Sequence, residues 1–275
     1  MSSGYGITNL LTGLAASAFT WSSGYTTDRD KLNDGKQDEV AAGSSSAQAS
    51  GQTLTVNLGS AQAVAAIALL SHNLATGACT VAVTYADDAG FTTGTGTAKA
   101  ASTINTSAPH DKDTVLQFPS VTKQYWRLTF MHTGTKTLRL GEVLFFGSLT
   151  TLSRQSAYGD GESSVFPQNR VRTDTGAERA TVLAAEIRTK RLDYKDLRGT
   201  SERDELMGMW RAALGGARNL LFVDLISSSA TAAAAEEMQC MWAKLAPSMG
   251  WTQDDYALFT ITGVTLTGLG REAGS

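Results

Sequence analysis

The chain has 275 residues and a formal net charge of −3 at pH 7. Hydrophobic residues make up 42% and charged residues 18%, which is enough apolar material for one large or two ordinary domains and excludes disorder driven by charge. The 23 basic residues do not exceed the 26 acidic residues. The basic excess that phosphate neutralisation requires is therefore missing, and we expect no nucleic-acid partner.

The first half of the chain is predicted to consist of β-strands. Gln52–Leu58 alternates apolar and polar residues, which is typical of a strand with one solvated face. Further segments rich in β-branched and aromatic residues come after it, separated by turn residues: Ala63–Leu70, Ala78–Tyr85, Thr114–Phe118, Gln124–Met131 and Thr137–Phe146. Several strands without a convincing helix predict a β-sandwich or jelly roll.

The second half changes character after Ser148. Arg154–Asp174 is predicted to be irregular, and Ala180–Tyr194 to be a long strand. Ser201 opens a sequence like a capping box, and apolar residues recur at helical spacing before Gly215 and Gly216: Leu206, Met209, Trp210, Ala213 and Leu214. Further strands are predicted at Asn219–Leu225 and Tyr256–Leu269, which together with the helix indicate an α+β domain.

The segment Ala230–Ala246 is open to two interpretations. It could form a second helix halted by Pro247, with these side chains facing inward: Met238, Met241, Trp242 and Leu245. Its beginning is rich in Ser and Ala, which is equally typical of a loop. The predicted organisation is a β-sandwich in residues 1–148 and an α+β domain with one or two helices in residues 149–275.

Catalytic and metal-binding motifs are missing from the sequence. No G-x-S-x-G elbow occurs, and the scattered histidines His72, His110 and His132 are expected to be polar groups at the surface. The acidic stretch that begins at Asp28 fails as a calcium loop, because Leu32 occupies its fifth position. We therefore expect no enzymatic activity, no catalytic residues, no metal and no cofactor.

Cysteine usage and hydropathy give two further expectations. Cys79 and Cys240 lie far apart in apolar stretches, so each is predicted to be a buried thiol. The first charged residue is Asp28, so no basic region precedes the apolar N-terminus. The most apolar run, Ala61–Leu70, is half the length that crosses a bilayer, and no membrane insertion is expected.

Some aromatic side chains are candidates for stacking on sugar rings: Trp21, Tyr25, Tyr125 and Trp126. Tyr125 and Trp126 are neighbours in a predicted strand, where adjacent side chains point to opposite faces. At least one of the two is therefore expected in the core. Basic and acidic residues are interspersed over Arg170–Arg198, which predicts either a solvated face or contacts with a neighbouring subunit.

Four segments in residues 1–148 resemble the discoidin-like, galactose-binding-like jelly rolls: Leu54–Ser60, Val64–Leu74, Tyr125–Phe130 and Leu140–Gly147. They match a strand ending in "LG", a core strand, a "YWRL" strand and a final "GEV" strand. The Asn33-Asp34-Gly35 turn lies where such domains carry an early "DG". Domains of this family bind glycans or lipid head groups through loops at one end of the barrel.

The part of the chain after the sandwich resembles tail proteins of tailed bacteriophages, of the distal-tail or tail-tip type. The similarity is carried by the segment from Leu152 to Gly159, by Arg179–Tyr194, by the predicted helix and by Asn219–Asp224. It implies a structural virion protein, assembled in the host cytoplasm as a homo-oligomeric ring between the tail tube and the hub or tail-tip proteins. Uncharged Ser, Thr and Gly surfaces and strand edges that must be covered are consistent with that role.

The alternative hypothesis is a carbohydrate-binding module that contacts a host surface glycan. The jelly-roll loops Trp21–Asp34, Ser71–Asn73 and Phe91–Lys99 would form its site, with these candidate ligand-binding residues: Trp21, Asn33, Asp34, His72 and Asn73. A glycoside hydrolase is the third hypothesis, and the low density of acidic residues in the first half disfavours it.

Overall fold

The computed structural model describes residues 2–22, 29–34, 41–42, 48–74, 79–104, 113–132, 137–153, 161–165, 168–172, 178–182, 187–226, 238–255 and 258–268. The strands before the helix are β1 (Ser2–Gly6), β2 (Phe19–Trp21), β3 (Ala41–Ala42), β4 (Gln48–Leu70), β5 (Thr80–Ala86), β6 (Gly96–Thr103), β7 (Asp113–His132), β8 (Arg139–Leu140), β9 (Glu142–Phe146), β10 (Thr150–Thr151), β11 (Gly161–Val165), β12 (Gln168–Arg172), β13 (Glu178–Val182) and β14 (Ile187–Arg198). Helix α1 (Gly199–Ala212) precedes β15 (Asn219–Ile226), β16 (Met238–Leu245), β17 (Thr252–Asp255) and β18 (Leu258–Gly268). Short 3-10 helices cover Ala16–Ala18 and Arg29–Leu32.

The predicted fold class is confirmed, since the described residues are mainly β and include a β-sandwich and one α-helix. The chain divides into two compact units. The first comprises Met1–Thr151 and Leu221–Met241, and is called the sandwich unit below. The second comprises Leu152–Leu220 and Trp242–Ser275, and is called the α+β unit.

Two long antiparallel strands, β4 and β7, organise the sandwich unit. One half of their ladder pairs Leu54 with Leu128, and the other half pairs Ala68 with Val115. The first half lies in a sheet with the order β2-β4-β7-β5-β6, called the first sheet. The second half lies in a sheet with the order β9-β4-β7-β16, called the second sheet. Both long strands therefore contribute to both sheets.

A single apolar core fills the space between the two sheets. Trp126 lies at its centre, with its ring centroid 5.7 Å from that of Phe118 and 6.1 Å from that of Phe145 on β9. Leu54, Val56 and Leu58 alternate toward this core from β4, and the intervening polar residues point outward. The alternation predicted for Gln52–Leu58 is confirmed.

The strands predicted as separate segments are partly fused. Gln52–Leu58 and Ala63–Leu70 both lie within β4, and Thr114–Phe118 and Gln124–Met131 both lie within β7. The residues between the segments form irregularities in the ladder, between Asn57 and Gln62 on β4 and between Gln117 and Val121 on β7, rather than chain reversals. Polar composition alone does not distinguish a bulge from a turn, because both expose backbone groups to water.

The α+β unit is built on β11, β14 and β18, which pair in that order, with β16 and β17 also on β18. Helix α1 confirms the predicted helix and buries Leu206 and Met209, and Ala213 directly after it is also buried. It begins at Gly199, so the capping box predicted at Ser201 is wrong. Leu214, predicted at helical spacing with these residues, lies past the end of the helix, with a φ of 50° and a side chain that is 57% exposed.

Other predictions in the second half also need correction. Strands β11 and β12 lie in the segment predicted to be irregular, where few apolar residues mark a strand. Neither interpretation of Ala230–Ala246 anticipated β16. Its residues Cys240–Ala243 are all buried, so both faces of the strand are covered and no alternation is visible in the sequence. Residues 227–237 lie outside the described ranges.

Both cysteines are free and buried, as predicted. Burial raises the pKa of the Cys79 thiol to about 12, because the thiolate would lose its hydration; a backbone hydrogen bond from Met131 opposes this only in part. Among the described residues, no α-helix has the length and hydropathy needed to cross a bilayer.

Candidate functional site

Two of the predicted glycan-binding residues, Trp21 and Asn33, have structural contacts within the sandwich unit. Trp21 is 6% exposed and its ring centroid lies 6.0 Å from that of Phe130, so its indole belongs to the core. The side-chain amide of Asn33 donates a hydrogen bond to the backbone carbonyl of Leu11. Asp34 is exposed next to it, at the end of the 3-10 helix Arg29–Leu32.

His72 is buried, in contrast to its predicted place at the surface. Its Nδ1 accepts a hydrogen bond from the backbone N–H of Leu74 at 3.3 Å, so Nε2 carries the proton and donates to Oγ1 of Thr114 at 2.9 Å. Its two ring nitrogens are satisfied internally, which makes burial tolerable. His132 is also buried, at 3% exposure, and the surface location predicted for it is wrong. His110 and Tyr25 lie outside the described residues.

Asn73 links the segment after β4 to the segment before β9. Its Nδ2 donates to the carbonyl of Thr137 at 2.8 Å, and its Oδ1 accepts from the N–H of Arg139 at 2.9 Å. This carboxamide thus fastens two loops to each other. His72 and Asn73 are therefore neighbours, whereas Trp21 and Asn33 contact other residues. The contacts of these four predicted ligand-binding residues do not define one shared site.

The outer face of the first sheet carries a different group of polar and aromatic side chains. Along β7, Trp126, Leu128 and Phe130 are buried in the core, whereas Tyr125 and Arg127 alternate with them and are half-buried on the outside. Of the two neighbouring aromatic candidates, Trp126 is therefore the core residue. We call the following group the Arg127 shelf: Thr55, Thr84, Phe91, Tyr125 and Arg127.

Arg127 is the centre of this shelf. The ring of Phe91 lies over its guanidinium, with 3.7 Å between Cζ and the ring centroid. Its Nε donates to Oγ1 of Thr55 on β4 at 3.3 Å, and Thr84 on β5 donates its hydroxyl to the Arg127 carbonyl at 3.4 Å. Neighbouring strands therefore fix both the side chain and the backbone of Arg127.

Hydrogen bonds within the loop between β5 and β6 position Phe91. Asp88 accepts hydrogen bonds from the backbone N–H groups of Thr92 and Thr93, at 3.0 and 2.6 Å, and from both of their hydroxyls. Phe91 donates its own N–H to the Asp88 carbonyl at 3.1 Å and has a φ of 56°, which bulky residues rarely adopt. The bonds within the loop thus offset a strained backbone that presents the ring.

The two carboxylates of the loop have hydrogen-bond or ion-pair partners, whereas the nearby Arg127 has no carboxylate partner among the described residues. The bonds from Thr93, and then those from Thr92, hold the pKa of Asp88 well below its usual range. Asp87 pairs with Lys123 at 2.8 Å. Within the described part of the chain, no carboxylate lies within ion-pair distance of Arg127, whose pKa is lowered by desolvation. Arg127 is therefore a half-buried cation whose described contacts are an aromatic ring and hydroxyl groups.

Sequence reasoning included Phe91 in a candidate loop but did not select Arg127. The "YWRL" motif identified a strand that contains Arg127 but gave no reason to assign Arg127 to a binding site. The signal that could have found it is the alternation along β7, which places Arg127 on the face opposite Trp126. No group of three His, Cys, Asp or Glu side chains is arranged to hold a metal ion in the ranges that the structure describes.

Comparison with known proteins adds structural similarities to this description. No protein-family model matches the sequence, and no curated protein matches it. Chitosan-binding module 1 of a chitosanase/glucanase from Paenibacillus sp. IK-5 is 22% identical, with a TM-score of 0.40, over 51% of this chain and 99% of that chain. The lectin domain of lectinolysin, complexed with Lewis B antigen, is 18% identical, with a TM-score of 0.40, over 51% of this chain and 97% of that chain.

The CBM32 of AlyQ, in complex with 4,5-unsaturated mannuronic acid, is 20% identical. Its TM-score is 0.38, and the match covers 53% of this chain and 98% of that chain. Each of these solved structures is similar to about half of the chain.

Proposed function

We propose that the sandwich unit is a non-catalytic carbohydrate-binding module that holds a glycan on the Arg127 shelf. The observation that carries the proposal is the stack of Phe91 on Arg127, held by hydrogen bonds within a strained loop. Such a site is preorganised, so little conformational entropy is lost when a ligand binds.

The chemistry of the shelf suits a sugar. Phe91 and Tyr125 supply apolar ring surface for the C–H groups of a pyranose, and the hydroxyl of Thr55 and the guanidinium of Arg127 supply polar groups. The carboxylates beside the shelf, Asp87 and Asp88, are engaged with Lys123 and with the two threonines. These contacts favour binding over acid–base hydrolysis, which needs two carboxyl groups across a scissile bond.

The test is a glycan array with the full-length chain, followed by calorimetry on the strongest ligand. Replacing Phe91 by Ala removes the ring and should weaken binding at least about tenfold, the effect of losing roughly 1.4 kcal/mol. Trp251→Ala is the matched control, because the ring of Trp251 also contacts an arginine, Arg203, but lies in the α+β unit. A blank array, or Phe91→Ala binding as tightly as wild type, would refute the proposal.

A second candidate function is assembly with further copies of the chain, for which a ring in a bacteriophage tail is the form suggested by the sequence. One observation favours it. Strand β11 pairs antiparallel with β14, with Gly161 opposite Arg191, and β12 pairs antiparallel with β13, with Arg172 opposite Glu178. The two pairings follow each other in nearly continuous register. Among the described residues, the outer pair β12–β13 joins no other strand.

An isolated two-stranded ribbon is only marginally stable in water, and its open edges can accept a strand from a neighbouring chain. Replacing residues 168–182 by an Asn-Gly turn should therefore convert an oligomer to a monomer in size-exclusion chromatography with light scattering, without loss of the folded signal in circular dichroism. A wild-type chain that is monomeric at micromolar concentration would rule this function out. Immunogold labelling of tail particles tests the virion location.

A further inference from the structure

We infer that the ligand of the Arg127 shelf is an acidic glycan, in which the carboxylate of a uronic acid residue binds the guanidinium edge of Arg127. This inference rests on the proposed carbohydrate-binding function and adds the class of sugar.

The charge balance on the outer face of the first sheet favours an acidic ligand. Lys123, the other basic residue beside the loop, is paired with Asp87, and both oxygens of Asp87 lie 2.8 Å from its Nζ. Asp88 is occupied by four hydrogen bonds from Thr92 and Thr93. In the described ranges, no carboxylate lies within ion-pair distance of Arg127 or of Lys99 on β6, whose pKa is lowered by desolvation, so the uncompensated charge of this sheet is positive.

The described contacts of Arg127 engage one face of its guanidinium and its Nε, and none of them engages the Nη groups. Phe91 covers one face of the guanidinium plane at 3.7 Å, and Nε is bonded to Thr55. The Nη groups donate within that plane, where a planar carboxylate binds with two parallel hydrogen bonds. A neutral hydroxyl satisfies one such donor at a time, so a carboxylate is the better match.

The environment of the cation also favours a charged ligand group. A half-buried charge has lost part of its hydration, and a charge-assisted hydrogen bond to a ligand compensates for this loss. Tyr125 lies two residues away on the same side of β7, beside Asn57 on β4. The rest of a sugar ring therefore meets aromatic and amide groups next to the carboxylate site.

The experiment compares two polymers of nearly the same sugar, one acidic and one neutral. Affinity electrophoresis of the full chain is run through gels that contain polygalacturonate or galactan, and Kd values are obtained by calorimetry with the trimers. We expect the wild-type chain to prefer the acidic trimer at least tenfold. Arg127→Gln should abolish that preference, and Arg127→Lys should keep only part of it, because an ammonium group cannot form the two parallel bonds.

Arg139→Gln is the matched control, since Arg139 is an exposed arginine on β8 and its loss changes the net charge equally. It should leave both affinities unchanged.

Equal binding of both trimers that is insensitive to Arg127→Gln would remove the inference and leave the carbohydrate-binding function. Binding of neither trimer, with a blank array, would remove both. Retention by polygalacturonate that survives Arg127→Gln but disappears in salt would show diffuse charge attraction and overturn the assignment to Arg127.

Discussion

The side-chain oxygen of Asn9 accepts a hydrogen bond from the backbone N–H of Phe145 at 3.0 Å, although the two residues lie at opposite ends of the sandwich sequence. The same oxygen also accepts from the N–H of Leu11 at 3.1 Å. Asn9 is itself buried, so one carboxamide fastens the N-terminal segment to β9. Removing it leaves two backbone donors without their partner.

Asn9→Ala should therefore lower the free energy of unfolding by about 1–3 kcal/mol, the usual cost of burying unsatisfied donors. Urea denaturation followed by tryptophan fluorescence measures the change. Thr12→Ala is the control, because Thr12 is exposed in the same turn and its loss should cost no more than about 0.5 kcal/mol. Equal stability of the two variants would contradict the role given to Asn9.

The hydrogen bond between His72 and Thr114 predicts a second stability effect. Thr114→Val keeps the shape of the side chain but removes the acceptor of the buried Nε2–H. We expect a loss of about 1–3 kcal/mol in the free energy of unfolding. Thr97→Val, on the exposed part of β6, should be neutral in the same assay. A neutral Thr114→Val would show that His72 does not depend on this bond.

Two glycines with positive φ predict unequal costs of an added methyl group. Gly13 has a φ of 82°, and no atom of the described residues lies within 4 Å of an added Cβ. At Gly216, with a φ of 88°, an added Cβ would meet the carbonyl oxygen of Leu245. Gly13→Ala should cost about 1–2 kcal/mol from the left-handed backbone alone. Gly216→Ala should cost about 1–3 kcal/mol more, because backbone must move. Equal melting temperatures of the two variants in thermal denaturation would contradict this order.

The buried thiol of Cys79 predicts both low reactivity and a dependence of stability on pH. In a Cys240→Ser variant, Cys79 should react with a thiol reagent at pH 8 only after the chain is unfolded. Its pKa is raised from 9.0 to about 12 in the folded state, so the folded state favours the protonated thiol. Its contribution to stability is complete below pH 9 and is lost as the pH rises from 9 to 12. A Cys79→Ala chain should lack this component of the alkaline loss.

The loop that carries Phe91 predicts a link between rigidity and binding. Asp88→Ala removes the acceptor of four hydrogen bonds without touching the ring or Arg127. We expect glycan affinity to fall about tenfold, because the ring is no longer preorganised. Asp88→Asn keeps one acceptor oxygen and should lie between wild type and Asp88→Ala in calorimetry. Unchanged affinity in Asp88→Ala would show that the loop does not organise the site.

Much of the fold was predictable from local patterns. The alternation of Leu54, Val56 and Leu58 identified a strand with one buried face, and the spacing of Leu206 and Met209 identified α1. These patterns depend on residues close together in the chain, where the period of the element appears directly. Strand β16 could not be predicted because Cys240–Ala243 are covered on both faces, a condition that distant segments create.

The candidate site was less predictable than the fold. Trp21 and His72 have the side-chain chemistry of sugar-binding residues, yet the packing against Phe130 and the bond to Thr114 give them internal roles. Burial of this kind is decided by the tertiary neighbours of a residue. Arg127 shows the converse, since its stack on Phe91 depends on a loop far from it in sequence.

The sharing of β4 and β7 between both sheets has a consequence for how the chain reaches its native state. Their ladder joins segments separated by β5 and β6, so its closure requires contacts between distant parts of the sequence. Topologies dominated by such pairings fold slowly, because the entropy of closing the intervening chain is lost before the contacts form. Neither sheet is complete until β4 and β7 pair, so the rate at which these two strands pair determines how fast the whole sandwich folds.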